Sequence, residues 1–160
     1  MIFVTVGTEL PFDRLVRAMD AYAAAHPGEE VVAQIGGGGF EPRHMRWFRR
    51  TSREEFAATV AAADLVVAHA GVGSVVTAGE HGKPIVLLAR HARLGEHRND
   101  HQIDTAGRLG GRPGVRVATS ETDLAEAIAA LRAAGTGGIE TVARTAPPGF
   151  LDRLRAFIGP

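Results

Sequence analysis

The residues best placed to do chemistry lie in Asp64-Leu65-Val66-Val67-Ala68-His69-Ala70-Gly71-Val72-Gly73-Ser74. An apolar run without polar alternation reads as a strand buried on both faces. It breaks into a turn of small residues with one histidine and two glycines, and a helical pattern begins at once. Where a parallel strand passes into a helix through glycines, the first free N–H groups point outward and hold an anion. Ile2-Phe3-Val4-Thr5-Val6 followed by Gly7-Thr8 repeats the arrangement. Two such turns in one small sheet point to a nucleotide diphosphate. His69 ends a strand instead of sitting on an apolar face, so it reads as a ligand-facing residue. Ser74 and Thr77 are three apart on the opening turns of the next helix and can face the same ligand. His69 and Ser74 are both expected on a surface turn, where substitution changes stability little.

Arg90 to Gln102 forms a second polar cluster. A helix is expected over 97–109, which would put His97 and His101 at the i, i+4 spacing of a metal pair. Arg98, Asn99 and Asp100 stand between them where a hydrolytic zinc helix carries a glutamate, so no metal and no cofactor are expected. Gln102, with Asp100 or His101, suits sugar hydroxyls. Arg90 or Arg93 can pair with a uronate carboxylate in bidentate fashion. The run Gly36-Gly37-Gly38-Gly39 is a further but weaker phosphate candidate.

Composition narrows the partners. The 160 residues suit one domain with a real core. Eighteen basic residues balance eighteen acidic ones, which leaves no broad basic field for nucleic acid and no expected polybasic patch. The chain has no cysteine, so disulfides and thiolate metal sites are excluded. A strand from Ile2 leaves no room for a signal peptide, and no apolar run approaches the roughly 20 residues that span a bilayer. A cytoplasmic α/β domain is expected, without direct membrane insertion.

The elements that must position these residues alternate throughout. A helix is expected from Pro11 to about His26, where Phe12, Leu15, Val16, Met19 and Tyr22 keep helical spacing. Strands are expected over 30–35, 45–48, 65–68, 84–88 and 115–117. Ser52 with Glu55 forms a capping box for a helix to Ala63. Further helices are expected over 72–81 and from a Ser120/Asp123 cap to about Ala133. Residues 136–149 read as irregular, and 150–158 as a short terminal helix. The core is thus expected over about 1–133, with a terminal segment 134–160. Such alternation gives a parallel sheet with helices on both faces and ligands at the carboxyl ends of the strands.

Together, Phe3-Val4-Thr5-Val6-Gly7-Thr8, His69-Ala70-Gly71-Val72-Gly73-Ser74, Gly82-Lys83-Pro84-Ile85-Val86 and Gly95-Glu96-His97 through Asp100-His101-Gln102 resemble the family 28 C-terminal domain. That domain is the donor-binding half of GT-B glycosyltransferases. The resemblance covers roughly residues 1–130 and is nearest the small stand-alone members, Alg13-like and PssE-like subunits. It implies a single Rossmann-like domain that binds a UDP-sugar and transfers the sugar with inversion. It also implies a separate membrane-associated subunit, PssD- or Alg14-like, that supplies the acceptor half and recruits the chain to the inner membrane face. Exopolysaccharide or lipid-linked oligosaccharide synthesis is the implied setting, with UDP-glucuronate slightly ahead of UDP-GlcNAc. The implied catalytic residues are His69 and Glu96, the general base falling on the partner if not here. Gly7, Thr8, Ala70, Gly71, Val72, Gly73, Ser74, Thr77, Arg90, His97, Asp100, His101 and Gln102 complete the implied substrate set. Thr77 stands where many members carry a ribose-binding glutamate, and Ala89 where a proline is common. Without its partner the chain is expected to self-associate.

Two other readings stay open. One is a nucleotide-binding assembly module without chemistry. The other is a dinucleotide-dependent oxidoreductase, against which the first turn lacks G-x-G-x-x-G and Gln34 ends the second strand where an acidic residue is sought.

Overall fold

The computed structural model describes residues 1–135; the expected irregular stretch 136–149 and terminal helix 150–158 lie outside them. Six parallel strands form one sheet: β1 (Ile2–Thr5), β2 (Val31–Gln34), β3 (Arg46–Phe48), β4 (Leu65–His69), β5 (Ile85–Leu88) and β6 (Val115–Ala118). Their order is β3-β2-β1-β4-β5-β6. The chain builds outward from β1 to one edge, then crosses back to β4 and builds to the other. The order therefore reverses between β1 and β4, and a crevice opens over their carboxyl ends.

Five helices cover the sheet: α1 (Asp13–Ala25), α2 (Arg53–Ala62), α3 (Val72–Glu80), α4 (His101–Leu109) and α5 (Leu124–Ala133). The alternation within β1 shows how they divide. Ile2, Val4 and Val6 pack with Phe12, Leu15 and Met19 of the α1 region and Leu124, Ile128 and Leu131 of α5. Phe3 points the other way, into a core with Val60 of α2, Val75 and Ala78 of α3 and Ala106 of α4. A strand buried on both faces needs no polar alternation, and β1, β4 and β5 have none.

The Ser52/Glu55 capping box forms in full and opens α2. The Ser120/Asp123 box closes a short 3-10 turn that leads into α5. The helix expected over 97–109 begins only at His101. Gly95, at φ 70°, closes a 3-10 turn over Ala92–Leu94. Glu96 then turns back to the His91 N–H and Asp100 to the Ala92 N–H, at 3.0 and 2.8 Å. These side-chain bonds hold 96–100 as a loop, so His97 and His101 do not share a helix. Their rings still meet edge-on, with centroids 4.5 Å apart. No helix among the described residues is long and apolar enough to cross a membrane.

Candidate functional site

A cleft of about 540 Å³ lies over the carboxyl ends of β1, β2 and β4. Two of its walls are the glycine turns after β1 and β4, and His69 joins them. A Cβ on Gly71 would stand 2.2 Å from His69 Nε2, and one on Gly7 would stand 2.7 Å from Cε1. The imidazole thus fills the space that side chains would take at both turns. Gly7 also holds a left-handed φ of 75°, which glycine alone adopts without strain. Only glycine at both positions lets the two turns close on one ring.

The Gly71 N–H donates to the His69 carbonyl at 2.8 Å, and the amides left open are those that follow the turn glycines, Thr8 on one side and Val72 to Ser74 on the other. Gly71 is the N-cap of α3 and has no side chain with which to cap it, so the first N–H groups of the helix lack an intrahelical partner. They carry the positive end of the helix dipole. The β1 turn is fixed from below: Thr5 Oγ1 donates to Gln34 Oε1 at 2.6 Å and accepts from the Gly7 N–H at 3.2 Å. Gln34 Nε2 donates to the Gly7 carbonyl at 3.0 Å. Thr8 and Glu9 stay exposed at the lip.

His69 is less superficial than a surface turn would make it, and Ser74 is only 7% exposed, correcting that expectation. Ser74 lies on the first turn of α3 within the cleft lining, and the two turns close over the imidazole. Burial, then the nearby positive charge of Arg90, push the His69 pKa down to about 4, only partly offset by the Thr5 backbone. The ring is neutral at neutral pH. Its Nδ1 is buried and lacks a hydrogen bond of full geometry, which leaves Nε2 as the ring nitrogen for a ligand, as a neutral group instead of a charge.

The loop after β5 forms the other wall. Arg90 is buried, and its Nη2 donates to the carbonyls of Val6 (2.7 Å) and Leu10 (2.5 Å). Its guanidinium also lies over Phe12, 5.1 Å from the ring centroid. The side chain therefore ties the β5 loop beneath the β1 turn, which takes its Nη2 away from a uronate. Glu96 is held by Arg14 of α1, whose Nε and Nη2 donate to Oε1 and Oε2 at 2.7 and 2.9 Å. Arg14 also donates to the Ala89 carbonyl at 2.8 Å and to Glu121 at 3.0 Å. Hydrogen bonding to Glu96 raises the Arg14 pKa despite burial.

The cleft brings together Gly7, Thr8, His69, Gly71, Gly73, Ser74, Thr77, Arg90, His97, His101 and Gln102. Gln102 is buried and accepts from the Arg90 N–H at 3.3 Å. Thr77 Oγ1 donates back to the Gly73 carbonyl at 3.0 Å. Four residues of the sequence-derived set do not line it. Ala70 is packed in the core, Val72 faces solvent, Asp100 braces Ala92, and Glu96 is enclosed by Arg14. The glycine run 36–39 also lies elsewhere: it wraps Asp13, whose Oδ2 accepts from the Gly39 and Phe40 N–H groups, each at 3.1 Å.

Glu9 lines the cleft from the loop that carries Gly7 and Thr8, while Gln34, Thr51, Ser52, Arg53 and Phe56 also line it but escape a reading of local motifs. The capping box at Ser52 was a usable signal, since it opens a helix after β3 at this same edge.

A doubly wound parallel sheet with helix amides open at its switch point defines a Rossmann-like α/β domain. Residues 1–145 match the glycosyltransferase family 28 C-terminal domain, and the chain belongs to that family. It is 32% identical over 117 residues to mouse UDP-N-acetylglucosamine transferase subunit ALG13, a match covering 67% of this chain and 10% of the relative. The human protein of the same name is 30% identical over 118 residues, covering 68% and 10%. The chain thus spans about a tenth of the length of these curated relatives. The solution NMR structure of ALG13 superposes with a TM-score of 0.55 at 23% identity, over 96% of this chain and 93% of that one. The glycotransferase of kitacinnamycin gives 0.62 at 20% identity, over 81% and 34%. The calicheamicin glycosyltransferase CalG4 gives 0.61 at 20%, over 99% and 42%. At these identities the structural likenesses concern the fold alone.

Proposed function

We propose that this chain is the donor-binding subunit of a two-component, inverting glycosyltransferase that takes a UDP-sugar. The observation that carries the reading is the pair of open amide turns closed around a neutral His69 at the switch point. In this reading the diphosphate sits on the amides of Val72 to Ser74 and of Thr8, at the positive end of α3, while the Gly71 and Gly7 N–H groups hold the turns themselves. As the acceptor hydroxyl attacks the anomeric carbon, the bond to the diphosphate breaks and negative charge grows on the departing UDP. Fixed amide dipoles and the His69 ring stabilise that charge. Loss of one such donor costs about 2.7–4 kcal/mol where it has been measured. Bound by both oxygens to Arg14, Glu96 acts here as a positioning group, and the general base comes from the acceptor-side subunit.

With the Arg90 Nη2 engaged by backbone carbonyls, the case for a uronate rests on Arg93. The likeness to the mouse and human UDP-N-acetylglucosamine transferase subunits therefore weighs toward UDP-N-acetylglucosamine as donor. The acceptor is proposed to be lipid-linked or a growing polysaccharide, presented at the inner membrane face by an Alg14- or PssD-like subunit. The test is co-expression with the neighbouring membrane-associated subunit, followed by assay with UDP-sugars and a lipid-linked acceptor. Transfer by the pair and little by the lone chain is expected. Efficient transfer by the lone chain would contradict the split-enzyme reading, and binding of UDP without transfer by the pair would favour an assembly module.

A further inference from the structure

Five arginines, Arg43, Arg46, Arg49, Arg50 and Arg53, fall within residues 42–53, a stretch without one acidic residue. The overall charge balance conceals this concentration, and the expectation that no polybasic patch exists fails here. All five are exposed, and they surround β3, the outermost strand on one side of the sheet. Charge placed on an edge strand blocks pairing with another chain, but only Arg46 lies within β3. The other four flank it, so edge protection does not account for them. Arg46 pairs with Glu30 and Arg49 with Glu41, all exposed. Arg43, Arg50 and Arg53 make no ion pair with the described residues.

We propose that this edge is an electrostatic contact for an anionic lipid surface. Guanidiniums that keep no partner of their own are available to phosphate, and Arg53 carries the patch to the lip of the cleft. A single-stranded nucleic acid would need open aromatic faces for its bases. The aromatic rings here are covered: the Arg17 guanidinium lies 4.2 Å above Phe40 and that of Arg49 5.5 Å from Trp47. A duplex would need an element that enters a groove, and this edge offers a three-residue strand between short loops. Lipid headgroups ask only for positive charge at an accessible surface. Each basic residue near such a surface is worth about fivefold in partition, screened by salt. The contact adsorbs without insertion and would orient a cleft that a membrane-associated partner completes. It deepens the proposed function at that point, but lipid binding is measurable without donor or partner.

The experiment sediments the full chain, free of nucleotide and partner, with phosphatidylcholine vesicles or with vesicles that also contain phosphatidylglycerol. Binding to the anionic vesicles alone is expected. The R43Q/R50Q double variant should bind them about 25-fold more weakly, with wild-type thermal unfolding and UDP affinity. An R112Q/R116Q variant, at the β6 edge, should bind as wild type. Equal loss in both variants, no preference for anionic lipid, or tighter binding to a charge-matched single-stranded oligonucleotide would overturn the proposal. UDP titration of the same proteins keeps the donor reading separate: vesicle binding without UDP binding defeats that reading and leaves this one intact.

Discussion

The two walls of the cleft are built by different physics. Around His69, Gly7 and Gly71 closeness comes from missing side chains: one ring fills the volume that two Cβ atoms would claim. The loop over 89–102 is instead held by charge, with Arg14 forked onto Glu96 and Arg90 drawn onto two carbonyls. The first wall tolerates no added volume and little protonation. The second tolerates volume but not the loss of a partner. A ligand held between them meets fixed backbone dipoles on one side and a loop of adjustable side chains on the other.

The largest effect that would break this contrast is steric. Gly7→Ala adds a methyl group 2.7 Å from the His69 ring at a φ of 75°, and should cost about 3–4 kcal/mol through combined overpacking and backbone strain. Chemical denaturation measures it. A cost below about 1 kcal/mol, in the range of an ordinary surface change, would show that the ring yields and the glycines are not required by packing.

Next comes pH. The pKa of His69 falls from 6.5 to about 4 on burial. Between those values the unfolded chain binds a proton that the folded chain does not. Stability therefore decreases as pH falls through that window, by up to roughly 3 kcal/mol, and is fully present above it. His69→Gln, neutral throughout, should remove this part of the slope. Unfolding curves for both proteins at the two ends of the window compare them directly, and parallel slopes would mean the imidazole is solvated after all.

A smaller effect sharpens the charged wall. Arg14→Met leaves Glu96 without its fork in a setting where both side chains are only 12–15% exposed. The cost should be about 2 kcal/mol, below that of a fully buried pair because water still reaches it. Arg14→Lys restores charge but not the bidentate geometry, so it should recover part of the stability. It should recover less of the UDP affinity, since the loop that carries His97, His101 and Gln102 depends on that geometry. Equal recovery of both would reduce Arg14 to a surface charge.

How far the sequence announced this site follows the same division. The steric wall was legible because its signals are local: an uninterrupted apolar run, a glycine turn, then helical spacing, at both β1 and β4. The parallel sheet and its cover of helices on both faces came with them, since unbroken apolar strands must be covered twice; which helix takes which face did not. The charged wall was not legible. Arg14 and Glu96 are 82 residues apart, and no periodicity records that they meet. The same blindness misplaced the start of α4, because Glu96 and Asp100 are tied to backbone N–H groups earlier in the loop. Gly36 to Gly39 misled for the opposite reason. A glycine run looks like a phosphate loop whether it faces an anion or, as here, wraps the carboxylate of Asp13. Polar residues contributed by α2 were hidden because nothing local says which loops share a cleft.

The central claim is that the amides at the switch point hold a diphosphate. Backbone amide chemical shifts recorded during a titration of the isolated chain with UDP test it most directly. The largest changes are expected on Thr8 and on Val72 to Ser74, uridine without phosphate should reproduce few of them, and His69 should stay neutral when UDP binds at neutral pH. UDP that binds while those amides stay unmoved, or no binding at millimolar UDP, would contradict it.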